Sequence, residues 1–173
     1  NLWLIYRHKM DDALLRDKLF PLLKGAVNYY LHFLQKEEDG KLHLPATYSP
    51  EYGSAEDCNF DLSLLRWGCL TLIQSAERLK IDVPKWKPVL EELTPYPMDE
   101  NGLFIGRNTP YAFSHRHYSH LLAAYPLYTL NKEHPEDVDL IERSLHFWQS
   151  KTGAHQGYSL TGASSISSAL GKG

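Results

Sequence analysis

Apolar residues recur along most of this chain at steps of three and four, the spacing that gathers side chains on one face of an α-helix. Leu15, Leu19, Leu22, Leu23, Ala26, Val27, Tyr30 and Leu34 draw one such stripe. It predicts a helix of several turns that Pro21 begins or kinks, stopped by Glu37-Glu38-Asp39-Gly40. A second stripe runs through Leu62, Leu65, Cys69, Leu72, Ile73, Ala76 and Leu79, with Asn59 or Asp61 as its cap. Further helices are predicted over about 117–125, ending at Pro126, and over about 136–150, through Val138, Ile141, Leu145 and Trp148. A last one covers about 158–170, where frequent Ala, Gly and Ser imply close packing.

Between 81 and 113 the periodicity breaks, apart from a short helical piece around Trp86 to Leu93. Pro95, Pro97, Gly102, Gly106 and Pro110 make this a long irregular connection, of the kind a compact domain keeps for function. Strand alternation is confined to a short piece at Gly102 to Ile105, and no solenoid-type repeat is visible. The pattern therefore predicts an all-α chain of stacked helical hairpins.

Two stretches collect ionisable groups outside the periodic pattern, Ala46-Thr47-Tyr48-Ser49-Pro50-Glu51-Tyr52-Gly53 and Ser114-His115-Arg116-His117-Tyr118-Ser119-His120-Leu121. Sites on rigid scaffolds favour such segments. Glu51 follows a proline and precedes Tyr52 and Gly53, which places its carboxyl on a stiff turn beside aromatic surface. Partial desolvation there would favour the protonated form a general acid needs; the alternative is an ordinary solvent-facing glutamate. His115, His117 and His120 leave three readings open. They could ligate zinc, although no neighbouring carboxylate or cysteine completes a familiar motif. They could form a hydrogen-bonded cluster at a helix start, or, with Arg116, a polar edge for sugar hydroxyls. Tyr6, Tyr48, Tyr52, Trp67 and Tyr111 offer flat faces that suit sugar rings or a core equally.

Composition removes other classes. The 173 residues are 43% hydrophobic with net charge −3, which fits one globular domain, and the scattered Lys and Arg argue against a nucleic-acid partner. No stretch is apolar and long enough to imply a membrane span. Cys58 and Cys69 make no disulfide framework and read as buried thiols. A phosphate-binding glycine loop and a Gly-x-Ser-x-Gly elbow are both missing. The first residues after Asn1 already read as mid-helix without a signal-peptide pattern, so a segment of a longer protein is expected.

Several blocks together resemble the catalytic domain of glycoside hydrolase family 95. They are Asn1-Leu2-Trp3-Leu4-Ile5-Tyr6-Arg7-His8, Phe20-Pro21-Leu22-Leu23-Lys24-Gly25-Ala26, Leu44-Pro45-Ala46-Thr47-Tyr48-Ser49-Pro50-Glu51, His115-Arg116-His117-Tyr118-Ser119-His120-Leu121 with Tyr125-Pro126, and Thr152-Gly153 with Gly157-Tyr158-Ser159. The resemblance implies that residues 1–173 are a partial (α/α)6 barrel, about half of one, from an enzyme that hydrolyses α-linked L-fucose or L-galactose with inversion. It also implies a bacterial periplasmic or extracellular setting, an oligo- or polysaccharide substrate and no cofactor. By similarity Glu51 would be the general acid, and His117, with Arg116, His120, His115 and Tyr52, would line the sugar subsite. The family's water-activating asparagine pair and aspartate match no residue in this chain, so the chain alone is expected to be inactive.

The match has departures. Tyr52 stands where the family usually has Asn after Ser-Pro-Glu, Asp57-Cys58-Asn59-Phe60-Asp61 opens the next helix unusually, and the connection from Glu51 to His115 is short. A related helical-barrel activity such as an α-rhamnosidase or a disaccharide phosphorylase fits these departures too. Half a barrel would also leave two apolar edges, which predicts a homodimer. The alternatives to an enzyme segment are a carbohydrate-binding helical domain without chemistry and a purely structural scaffold.

Overall fold

The computed structural model describes residues 1–82 and 85–172. The chain begins with helices α1 (Leu2–Lys9) and α2 (Asp12–Leu14), a π-helical turn (Leu15–Leu19) and α3 (Phe20–Leu31). Short strands β1 (Gln35–Lys36), β2 (Leu42–His43), β3 (Thr47–Ser49) and β4 (Gly53–Ala55) follow, before the long helix α4 (Asn59–Leu79) and α5 (Trp86–Glu92). After β5 (Met98–Asp99) and β6 (Gly102–Leu103) come a single 3-10 turn (Ser119–Leu121), α6 (Pro135–Ser150) and α7 (Gly157–Ala169). The strands form three two-stranded sheets, β1–β2, β3–β4 and β5–β6.

These sheets overturn the all-α expectation: the fold is mixed α and β, about 52% helical and about 10% strand. Strands of two or three residues are too short for a period-two pattern to register in sequence, so their turns carry the signal instead. In β5–β6, Met98 pairs with Leu103 and Asp99 with Gly102. The Asp99 carboxylate accepts the Asn101 N–H at 2.8 Å, and Gly102 takes φ 124°, a conformation closed to other residues.

Contacts divide the chain into two compact units, one of Asn1–Leu42 with Leu65–Leu93, the other of His43–Leu64 with the residues from Thr94 onward. In the first, Tyr6, Leu15 and Leu19 are buried with Leu2, Trp3, Leu14 and Leu79 against them. Asp11 caps α2, its Oδ1 accepting from Ala13 N (2.9 Å) and Leu14 N (3.2 Å). The predicted helix is there but ends at Leu31, short of Leu34, with Leu22 and Ala26 of its stripe exposed; it opens with the π turn, in which the Phe20 N–H reaches the Leu15 carbonyl. Pro21, with no N–H to give, comes next in the first turn of α3. Phe20 meets Trp86 edge-on, with ring centroids 5.9 Å apart.

The second unit packs α6 and α7 around Leu103, Ile105, Tyr111, Tyr118, Leu121, Leu145, Trp148 and Ile166. Small residues allow the approach: a Cβ at Gly162 would run into the Tyr118 ring, and one at Gly102 into Ser144. The irregular connection is ordered by the start of α4. Asn59 gives its N–H to the Ile105 carbonyl (2.8 Å) and its side-chain amide to those of Pro97 (3.1 Å) and Phe104 (2.6 Å). Beneath it, the buried Asp57 carboxylate takes His43 Nδ1 (2.7 Å) and Leu44 N (2.8 Å).

Cys58 and Cys69 are unpaired and fully buried. Burial pushes both thiols up, Cys69 to about 12, far from the thiolate that reacts with disulfides. Ellman's reagent at pH 8 is therefore expected to find no fast-reacting thiol in the native protein and both thiols in guanidinium. Prompt labelling of the folded chain would contradict this packing.

Candidate active site

The site lies wholly within the second unit and starts from the β3–β4 hairpin. Thr47 pairs with Ala55, Tyr48 with Ser54 and Ser49 with Gly53, leaving Pro50, Glu51 and Tyr52 as the loop. Tyr52 N–H closes it on the Ser49 carbonyl at 3.0 Å. Pro50 then occupies the second turn position and Glu51 the third, with φ 55°. That combination has the form of a type II turn, whose third position ordinarily belongs to Gly or Asn. A glutamate held left-handed carries a local cost of about 1–2 kcal/mol, a kind of strain that clusters at working sites.

The second segment, predicted as a helix over about 117–125, makes only the 3-10 turn at Ser119–Leu121 before turns leading to Pro126. Its carbonyls are already committed. The His115 carbonyl accepts the Trp148 indole N–H at 3.0 Å and the Tyr111 hydroxyl at 3.4 Å, while the same hydroxyl accepts the His115 N–H at 2.8 Å. Arg116 O accepts from the Ser159 hydroxyl at 2.8 Å. In a helix starting at 117 the Arg116 carbonyl would accept the first backbone N–H; here it takes the Ser159 hydroxyl instead. Burial pushes the Tyr111 hydroxyl up to about 12, which keeps its proton in place as a donor.

These two segments are joined side chain to side chain. Ser49 Oγ meets Ser119 Oγ at 2.9 Å in the interior, and His115 Nε2 stands 3.0 Å from the Pro50 carbonyl, which it can only serve as a donor. Glu51 Oε2 is paired with the Arg116 guanidinium and lies 3.2 Å from His117 Nε2. The His117 ring sits 5.2 Å from that of His115 and 5.3 Å from Tyr158. The Glu51 side chain is 52% exposed and that of His117 26%, so a ligand can reach both.

Four expected residues, Glu51, His115, Arg116 and His117, thus share one cluster. Tyr52 borders it edge-on to His115 at 5.5 Å, but its hydroxyl is spent accepting the Ala112 N–H at 2.6 Å, and its ring lies flat against Phe113, 4.2 Å away. His120 is placed apart: it is buried and stacked on Tyr111 at 5.0 Å, with no hydrogen-bond partner at Nδ1. Of the aromatic candidates, Tyr6 and Tyr111 are buried, Trp67 packs on Trp3 in the first unit, and Tyr48 is exposed. Sequence reading passed over Phe113 and gave Tyr158 no weight, yet both rings are half exposed beside the cluster. Only the short Gly157-Tyr158-Ser159 match hinted at the latter.

The cluster thus brings together one half-exposed carboxyl, an arginine and two histidines beside exposed rings. Residues 1–173 match the glycosyl hydrolase family 95 catalytic domain, and the chain belongs to that family. It is 26% identical over 163 residues to Alpha-L-fucosidase 2 of Arabidopsis thaliana, an alignment that takes in 83% of this chain. The chain spans only 19% of that relative's length. No helix among the described residues is long and apolar enough to cross a membrane.

Two measurements check this arrangement. Trp148→Phe keeps the ring but withdraws a buried donor from the His115 carbonyl, and urea unfolding is expected to show a loss of about 1–2 kcal/mol. His120 gives a pH signature. Burial, reinforced by His115, lowers its folded value from 6.5 to about 3, so below about pH 6.5 only the unfolded chain takes up the proton. Stability from this residue is complete above that point and falls with acidification, by at most about 1.4 kcal/mol per pH unit, until about pH 3. His120→Gln is expected to flatten the slope of unfolding free energy between pH 6.5 and 5.

Proposed function

We propose that this chain is the acid-bearing segment of an inverting glycoside hydrolase that cleaves α-L-fucosidic or α-L-galactosidic linkages in oligo- or polysaccharides outside the cytoplasm. The observation that carries the reading is Glu51, on its left-handed turn, with Arg116 and His117 at one carboxyl oxygen. Family membership and the fucosidase relative support the substrate class.

In this reading Glu51, protonated, gives its proton to the departing glycosidic oxygen as the bond to the anomeric carbon breaks. Arg116 and His117 stand where the new carboxylate forms, at the edge the sugar would occupy. His115, held by the Pro50 carbonyl, braces the pocket, and Tyr52 sets the Phe113 ring at its edge. His120 acts through Tyr111 rather than through the sugar. A water activated from the opposite face completes inversion, and the groups for that step belong to the rest of the parent protein. The 173 residues alone are therefore expected to bind sugar without turning it over.

The test compares leaving groups in the full-length parent. Glu51→Gln is expected to cut kcat/KM by about 10²–10⁴ on a fucoside whose alcohol needs protonation, and far less on fucosyl fluoride, which does not. Equal losses on both substrates would make Glu51 a binding residue. Sugar binding by calorimetry with no product from the unmodified parent would favour the carbohydrate-binding reading.

A further inference from the structure

The geometry points to a transition-metal site of the zinc class, formed by Glu51, His115 and His117, whose occupation blocks the carboxyl. The blocking step rests on the reading of Glu51 as the acid; the binding does not.

One ligand atom from each of the three residues falls in a group whose members all lie within 4.8 Å of one another. Glu51 Oε2 and His117 Nε2, 3.2 Å apart, already match the roughly 3.4 Å between two ligands of a tetrahedral zinc ion. His117 Nε2 is buried, and its polar neighbour among the described residues is the Glu51 carboxylate, so once unprotonated it can give its lone pair to an ion held between the two. His115 has the outer support of a ligating imidazole: its Nε2–H is directed at the Pro50 carbonyl, which leaves the lone pair on Nδ1. Two imidazoles and one carboxylate select Zn²⁺, Cu²⁺ or Ni²⁺ over Mg²⁺ and Ca²⁺, which take oxygen ligands.

Both backbones that carry these ligands are fixed, one by the closed turn at Ser49–Tyr52 and the other by Tyr111 and Trp148 on His115. The set therefore closes on an ion by side-chain rotation alone, and the half-exposed Glu51 leaves a coordination position for water. One competitor is built in. Arg116 holds the same Glu51 oxygen, so the ion must displace a guanidinium, and the site is weaker than a structural zinc site. The alternative placed on His115, His117 and His120 by sequence is replaced, because His120 is buried on Tyr111 and Glu51 takes the third position.

The test is equilibrium dialysis and calorimetry of the 173-residue protein with ZnCl2, set beside MgCl2. One zinc per chain and no magnesium are expected. His117→Ala and His115→Ala are each expected to weaken zinc binding at least about tenfold, and Arg116→Ala to strengthen it by about as much. Cobalt(II) added in place of zinc is expected to give visible absorption that His117→Ala removes. The proposal is overturned if no zinc binds, or if the double variant of His115 and His117 binds it as tightly as the native chain. In the full-length parent, zinc is expected to inhibit in competition with sugar, and zinc bound at these residues without inhibition would overturn the blocking step. Zinc binding as expected, together with a Glu51→Gln loss that ignores the leaving group, would fault the acid assignment and leave the metal site standing.

Discussion

Everything at this site depends on the peptide of His115 being satisfied by side chains instead of by secondary structure. The Tyr111 hydroxyl bridges its N–H and C=O, and Trp148 gives the carbonyl a second donor from α6. With its N–H and C=O already satisfied this way, the peptide gains no backbone bond by joining the helix that the apolar spacing favours. Released from helical geometry, His115, Arg116 and His117 spread toward the β3–β4 turn. A helix would have carried successive side chains about 100° apart and prevented all three from converging on one loop.

The turn supplies the other half of the constraint. Glu51 has a conformation that a β-hairpin would fill more cheaply with Gly or Asn, and it stays there because the loop is fastened at several points. Ser49 is tied to Ser119, Pro50 receives His115, and Thr47 donates to the Asp61 carboxylate at 2.5 Å. Farther along, Arg107 braces the strand end against Glu56, whose carboxylate it meets at 2.5 Å, and against buried Asp57 at 3.5 Å. The Coulomb pairs exposed at the rim add little stability of their own, whereas the buried Asp57 group is costly to break. Position, rather than net energy, is what the rim pairs contribute.

The long stripes were legible because each spans enough turns for the period to stand clear of chance. The run from Leu62 to Leu79 lies on α4, and the run from Val138 to Trp148 on α6. Failure came where a short element answers to a distant partner. Nothing local in Ser114–Leu121 says that Trp148 and Ser159 claim its carbonyls, and nothing in Thr47–Ala55 says that two three-residue strands pair around Pro50. The same limit applied to the site. Glu51 and the histidine segment drew notice separately, but a carboxylate completing a pair of imidazoles is visible only once the two segments meet, and the sequence reading used His120 for that place. Tyr158 and Phe113, single rings in weakly patterned stretches, carried no local signal.

A row of rings leads from solvent to the centre of the second unit: half-exposed Phe113, then Tyr52 at 4.2 Å, Tyr111 at a further 5.6 Å and buried His120 at 5.0 Å beyond. Successive interplanar angles are 1°, 28° and 22°, so the chromophores sit in a fixed, slightly twisted stack. Phe113, Tyr52 and Tyr111, held in such a chiral array, are optically active in the near ultraviolet, and lose that activity when side-chain packing melts. The loop beside the carboxyl thus contributes to a near-ultraviolet signal whose share a Tyr52→Leu variant would reveal, without any introduced dye.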